Sequence, residues 1–259
     1  MTAIDFTHWR RHSAMSDPGA HRSALKAACG DGAPSTLVRV AQGLLLHDWA
    51  GSRLYGPPPA HVLDADRTTL PTAQRLERIL AADPRPLDQP RAPFDRSVGT
   101  CRDMALLVTA LARSAGRAAR VRCGFAAYLA PGFWEDHWIC EIEDQGAWRR
   151  LDAQLDAAHR AALATSFDPS ELPPETFLDG PEAWRRIRCG AAKPALFRHG
   201  EEAVGAWFVR VNLARDQLAR TDRLVSEWDR WRCAAWLRRL DARAEAEADR
   251  WAAETEGRG

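Results

Sequence analysis

Val98-Gly99-Thr100-Cys101-Arg102-Asp103 opens the stretch that decides the fold, and Met104-Ala105-Leu106-Leu107-Val108 continues it toward Ala115-Gly116. Apolar residues fall at 104, 105, 107, 108, 111, 112 and 115, the spacing of one face of a helix, and Gly116 stands where a helix stops. Thr100 suits the N-cap, which places Cys101 in the first turn. There, unpaired backbone N–H groups and the positive end of the helix dipole favour a thiolate over a thiol. Gly99 lets another chain or a substrate approach the backbone beside that sulfur.

Past Gly116 the period changes from helix to strand. Strands are expected over 120–129, 137–143 and 148–155, the last two joined at Asp144-Gln145-Gly146. A four-residue loop over 143–146, or a two-residue loop over 144 and 145, sets His137 directly opposite Asp152 on one sheet face, whereas a three-residue loop shifts the register. In the paired arrangement the Asp152 carboxylate fixes the imidazole tautomer, and His137 takes and returns a proton at Cys101. The three residues then form a nucleophile, a base and an orienting group. Glu141 shares the face of His137 and reads equally as a supporting group or a solvated sheet residue. Trp134 and Trp138 alternate with the histidine and read first as core, and Asp136 reads first as a turn residue at the strand end.

These motifs together resemble the transglutaminase-like superfamily of papain-type cysteine enzymes. The features concerned are Gly99 to Asp103 at the helix start, Ser-Ala-Gly-Arg-Ala-Ala-Arg-Val at 114–121, His137-Trp138, and Gly-Ala-Trp-x-x-Leu-Asp at 146–152, within about residues 85–160. The resemblance implies an α+β fold with the nucleophile helix packed on an antiparallel sheet. It assigns Cys101 as nucleophile, His137 as general base and acid, and Asp152 as orienting carboxylate. It also implies acyl transfer or hydrolysis through a thioester, on an amide- or thioester-bearing small molecule or peptide. The acceptor is an amine or water, and amide formation from an acyl carrier protein in a bacterial pathway belongs to the range. Peptidase or amidase action and a non-catalytic binding scaffold are the alternatives. Gln154 departs from the family pattern, where many relatives have a Pro-Thr type ending. The backbone N–H of Cys101 supplies half of an oxyanion hole; Gln89, Trp49 and Tyr55 are candidates for the other half.

The rest of the chain is read around this core as one domain over 1–259, with a helical part at 1–95, a catalytic core at 96–160 and a helical extension at 161–259. Helices are expected over 20–29, 35–49 and 72–82, followed by a proline-rich connection. From about Glu201 onward, Leu218, Leu224, Val225, Trp228, Trp231, Ala235 and Trp236 suggest long amphipathic helices, and the tail from Asp241 reads as a solvated, fraying one. With 259 residues, 46% hydrophobic and 27% charged, the chain is long and apolar enough for a packed core. The net charge of +1 gives no field for nucleic acid or an acidic membrane. Only Lys26 and Lys193 among 36 basic residues are lysines, a bias spread along the chain that reads as codon supply.

No apolar leader and no run of bilayer length stand in the sequence, so a cytoplasmic location is expected. The six cysteines form no C-x-x-C pair and read as free thiols, Cys123 and Cys140 on neighbouring strands included. His8 and His12 have helical metal-ligand spacing without a third ligand nearby, and no metal or organic cofactor is expected. His47, His61, His159 and His199 read as surface or hydrogen-bonded structural residues.

Overall fold

The structure, a computed structural model, describes residues 4–224 and 238–254. In chain order the helices are α1 Arg22–Ala28, α2 Pro34–Leu44, α3 Trp49–Ser52, α4 Ala60–Leu63, α5 Thr72–Ala82, α6 Cys101–Ser114, α7 Ala157–Leu163, α8 Gly180–Arg188, α9 Ala206–Arg220 and α10 Ala242–Ala253. The strands are β1 Leu45–His47, β2 Ser97–Gly99, β3 Ala119–Ala126, β4 Trp134–Asp144, β5 Ala147–Leu151, β6 Phe177–Asp179, β7 Phe197–His199 and β8 Ala203–Val204. β1 and β2 form a parallel pair; the other strands run β6-β3-β4-β7-β8, with β5 also on β4. The β4·β5 pair is antiparallel, as expected; β3 also pairs antiparallel with β6, and β7 joins β4 in parallel. The fold is α+β. Among the described residues no helix is long and apolar enough to cross a membrane.

The chain divides into two compact units, Met1–Val121 with Ile139–Leu172, and Arg122–Trp138 with Pro173–Gly259. In the first, α6 is the centre. The amphipathic pattern expected for it gives way to burial on all sides: every residue from Arg102 to Arg113 is buried. Its polar members are inside because each has a partner. Arg102 donates to the Thr69 hydroxyl at 2.7 Å, Thr109 to the Ala105 carbonyl at 2.9 Å, and Arg113 to the Ala119 carbonyl at 2.9 and 3.0 Å. Leu25, Leu37, Leu44 and Leu76 from the surrounding helices pack with Leu107, Val108 and Leu111 of α6 and with Cys140, Ile142 and Leu151 of the hairpin.

The expected 35–49 helix stops at Leu44. Leu45–His47 instead extends and pairs with Ser97–Gly99, a non-local match that overrides the local helical pattern. Gly43 marks the site of close approach, since a side chain there would meet the Pro90 backbone at 3.0 Å. The proline-rich connection after α5 is held by Arg91, buried at 2% exposure. Its guanidinium donates to the carbonyls of Pro86, Gln89, Asp83 and Arg85 at 2.7–3.1 Å.

The second unit has its own core of Phe125, Trp184, Phe197, Phe208, Val209 and Leu213. Buried ion pairs cross it, Arg122 to Asp216 at 2.8 Å and to Asp179 at 2.8 Å. The tail from Asp241, expected to fray in solvent, is corrected here: α10 buries Ala248 and Ala252, and its Asp249 accepts from the Trp184 indole at 2.9 Å. Small residues permit that close packing, and beside them Glu245 and Asp249 meet Arg188 while Glu247 meets Arg210. The residues Val225, Trp228, Trp231, Ala235 and Trp236 of the expected C-terminal helices lie outside the described residues.

Candidate active site

β2 runs directly into α6, so the strand delivers Thr100 and Cys101 to a fixed place. Thr100 is extended at the N-cap; its amide and hydroxyl both donate to the Asp103 carboxylate, at 2.8 and 3.0 Å, within a capping box. Arg75 of α5 reaches the same carboxylate at 2.8 Å and also donates to the Ser97 hydroxyl at 2.9 Å and the Val98 carbonyl at 2.7 Å. One guanidinium therefore ties strand, cap and first turn together. Cys101 follows as the first helical residue, half-buried, in the turn where backbone N–H groups point away from the helix.

Gly99 permits this turn. A Cβ there would lie 2.9 Å from the Cβ of Asp103, so any side chain pushes the capping carboxylate away. Gly99→Ala is expected to lower stability by about 1–3 kcal/mol, the usual cost of overpacking, as a lower denaturation midpoint. An unchanged midpoint contradicts this account of the turn.

His47 lies beside the sulfur. The β1·β2 register sets His47 across from Gly99, and the ring hydrogen-bonds with the Cys101 side chain. Its Nδ1 lies 3.1 Å from the Asp48 carboxylate. Burial alone pushes the imidazole pKa down, but the Asp48 carboxylate and the Cys101 sulfur outweigh it and hold it up at about 9. The His159 ring stands edge-on at 6.1 Å. His159 Nδ1 is 2.9 Å from Asp156, which also takes the Tyr55 hydroxyl and lies 3.8 Å from Arg96. Tyr55 is thus engaged with Asp156, Gln89 is exposed, and the Trp49 side chain lies outside the described residues.

His47 and His159 are both hydrogen-bonded, as the sequence reading has them, but pattern reading does not foresee that the His47 ring lies against the nucleophile candidate while His159 is held by Asp156. The available signal was a His-Asp pair at the point where the helical run of 35–44 loses its apolar spacing.

His137 is buried at 1% exposure in the middle of β4, its ring edge-on to Tyr128 at 5.9 Å. Asp152, at 2% exposure, follows β5; its carboxylate accepts from the Gln154 amide at 2.9 Å. The expected hairpin register is corrected. The two-residue turn is Gln145-Gly146, both with positive φ, and it pairs Asp144 with Ala147 and Cys140 with Leu151. The next position, Asp152, is therefore level with Ile139 rather than His137. The offset is two residues, so Ile139 and His137 project from the same face of β4.

Two neighbours of the expected site are structural. Glu141 is buried and paired with Arg120 at 2.8 Å and Arg150 at 3.3 Å. Asp136 accepts from Asn212 at 2.8 Å and Arg215 at 3.3 Å. The buried thiols contrast with Cys101: burial pushes Cys29 up to about 11 and Cys140 up to about 12, which keeps both protonated and unreactive at neutral pH. Cys123 is also buried and outside any disulfide.

Comparison with known proteins places part of this region. Residues 74–153 match the family described as the transglutaminase-like superfamily. Among solved structures, a presumptive cysteine protease from Cytophaga hutchinsonii aligns at 16% identity over 68% of this chain and 45% of its own, with a TM-score of 0.41. The chain thus spans less than half the length of that structure. No curated protein matches. The family match supports a cysteine-dependent enzyme in general, and it takes in Cys101, His137 and Asp152. From the first residues of α5 to just beyond β5, the chain is similar to the transglutaminase-like superfamily.

Proposed function

We propose that the protein transfers or hydrolyses acyl groups through a thioester on Cys101, with His137 as general acid and base and Asp152 orienting its imidazole. The observation that carries this reading is the seat of Cys101: first residue of a capped, fully buried helix, half-open itself, inside the family-matched segment. The Cys101 thiolate attacks the carbonyl carbon of an amide or thioester, and backbone N–H groups at the helix start receive the oxyanion. Collapse of the tetrahedral adduct breaks the bond to the leaving group, which takes a proton from His137 and leaves an acyl-enzyme. An amine or water, deprotonated by the same imidazole, attacks the thioester and restores the thiolate. The substrate class is a small molecule or peptide bearing the amide or thioester, and an acyl carrier protein is a fitting donor.

The experiment is intact-mass spectrometry after mixing with activated acyl esters and thioesters, with peptide mapping of the adduct. One acyl group on Cys101 is expected, discharged faster when a primary amine is added if transfer dominates. His137→Ala is expected to slow acylation by an amide about 10²–10⁴-fold, the usual worth of a positioned acid-base group. Labelling of Cys101 by iodoacetamide without acylation by any donor refutes the proposal and leaves the binding scaffold.

A further inference from the structure

We propose that His47, backed by Asp48, is the imidazole that holds Cys101 as a thiolate at rest, so that the resting charge and the leaving-group proton are managed by two different histidines. This rests on Cys101 being the nucleophile and extends that reading to a residue with no assigned role.

The geometry is built from three directions. The parallel β1·β2 pair fixes His47 across from Gly99, two residues ahead of the sulfur. The ring then meets two neighbours, the Cys101 side chain by hydrogen bond and the Asp48 carboxylate 3.1 Å from Nδ1. Once the ring has taken the thiol proton, it faces an anion on both sides, the thiolate and the Asp48 carboxylate, and an imidazolium has an N–H for each. Gly51 closes the third side. A Cβ at that position would fall 2.8 Å from His159 Nε2 and 2.9 Å from His47 Cβ, so only glycine lets the two rings stand where they do.

The charges around the ring favour the same state. Facing His47 are Asp48 from its own segment, Cys101 from α6 and His159 from α7. His159 is in turn bonded to Asp156, which Tyr55 and Arg96 approach from behind. The Arg96 cation thus has the Asp156 carboxylate 3.8 Å away. The imidazole is held up near pH 9 by Asp48 and the sulfur, against burial. The proton step is balanced: the S–H bond of Cys101 breaks, an N–H bond forms on His47, and a neutral pair becomes an ion pair with no redox change, while the leaving-group proton is a second one that His137 carries and recovers from the attacking amine or water. The helix dipole supports the anion from the other side.

The test is the pH profile of alkylation by iodoacetamide at Cys101, which needs no substrate and no turnover. Wild-type enzyme is expected to react with an apparent pKa well below the ordinary thiol value of about 8.5. His137→Ala is expected to keep that acid limb. His47→Gln is expected to lose it, with the alkylation rate at pH 6 down by roughly tenfold for each pH unit the profile moves. An unchanged profile in His47→Gln, or loss of the acid limb in His137→Ala alone, overturns the proposal. To guard against misfolding of the variant, the His47 ring nitrogens are followed by NMR in wild-type protein: both protonated at pH 7 supports the ion pair, and a neutral tautomer refutes it. The two readings fail separately. A low-pKa thiol governed by His47 that never accepts an acyl group defeats the proposed function only; acylation of Cys101 with a profile indifferent to position 47 defeats this inference only.

Discussion

Cys101→Ala is expected to reduce turnover by on the order of 10⁴-fold or more, the loss typical of a removed covalent nucleophile. Alanine leaves the helix start intact, because the capping contacts run through Thr100, Asp103 and Arg75 rather than through the sulfur. Stability should therefore move little while chemistry stops. Cys101→Ser is the sharper comparison. It keeps a hydroxyl in the same place, but one far too weakly acidic to ionise beside an imidazole, so it should resemble the alanine variant. Single-turnover acylation, normalised to folded protein, measures both. Activity within tenfold of wild type in either variant removes Cys101 from the chemistry.

Arg75→Met has the largest expected effect on folding, a loss of about 3–5 kcal/mol, the cost of stranding one member of a buried ion pair. The side chains of Arg75 and Asp103 are only 5% and 2% exposed. Methionine fills the volume but leaves the Asp103 carboxylate with the Thr100 donors alone, and it abandons the Ser97 hydroxyl and Val98 carbonyl. Denaturant unfolding gives the value, and Asp103→Asn in the Arg75→Met background should recover part of it by removing the stranded charge. A loss under about 1 kcal/mol, the level of a solvated pair, shows that the clamp contributes little. The same variant should slow alkylation of Cys101, since the turn that seats the sulfur is the turn the guanidinium fixes.

The parts of the fold governed by local rules are legible in the sequence. The bounds of α5 agree with its 72–82 spacing, and α6 begins and ends where Thr100 and Gly116 say it should. The strands of the hairpin are visible from alternation, but their register is not. That is fixed by which two residues accept positive φ, and Gln145 does so beside Gly146. His47 was hidden for a different reason. Three residues carry no readable period, and what makes 45–47 a strand is a partner some fifty positions onward. The ion pairs of the second unit are equally illegible, since Arg122 and Asp216 are 94 residues apart and nothing local announces either as buried. In each case the missing information is long-range, where propensity yields to tertiary context.

Arg91 gives the arginine richness of this chain a meaning that base composition does not exhaust. A flat guanidinium, with donors spread around its rim, can collect the carbonyls of a loop that prolines keep from folding back on itself. An ammonium has three donors on a single point and could not reach around the same circle of oxygens. At this position arginine is masonry: the segment leading to the helix start is shaped by a keystone for which lysine is no substitute.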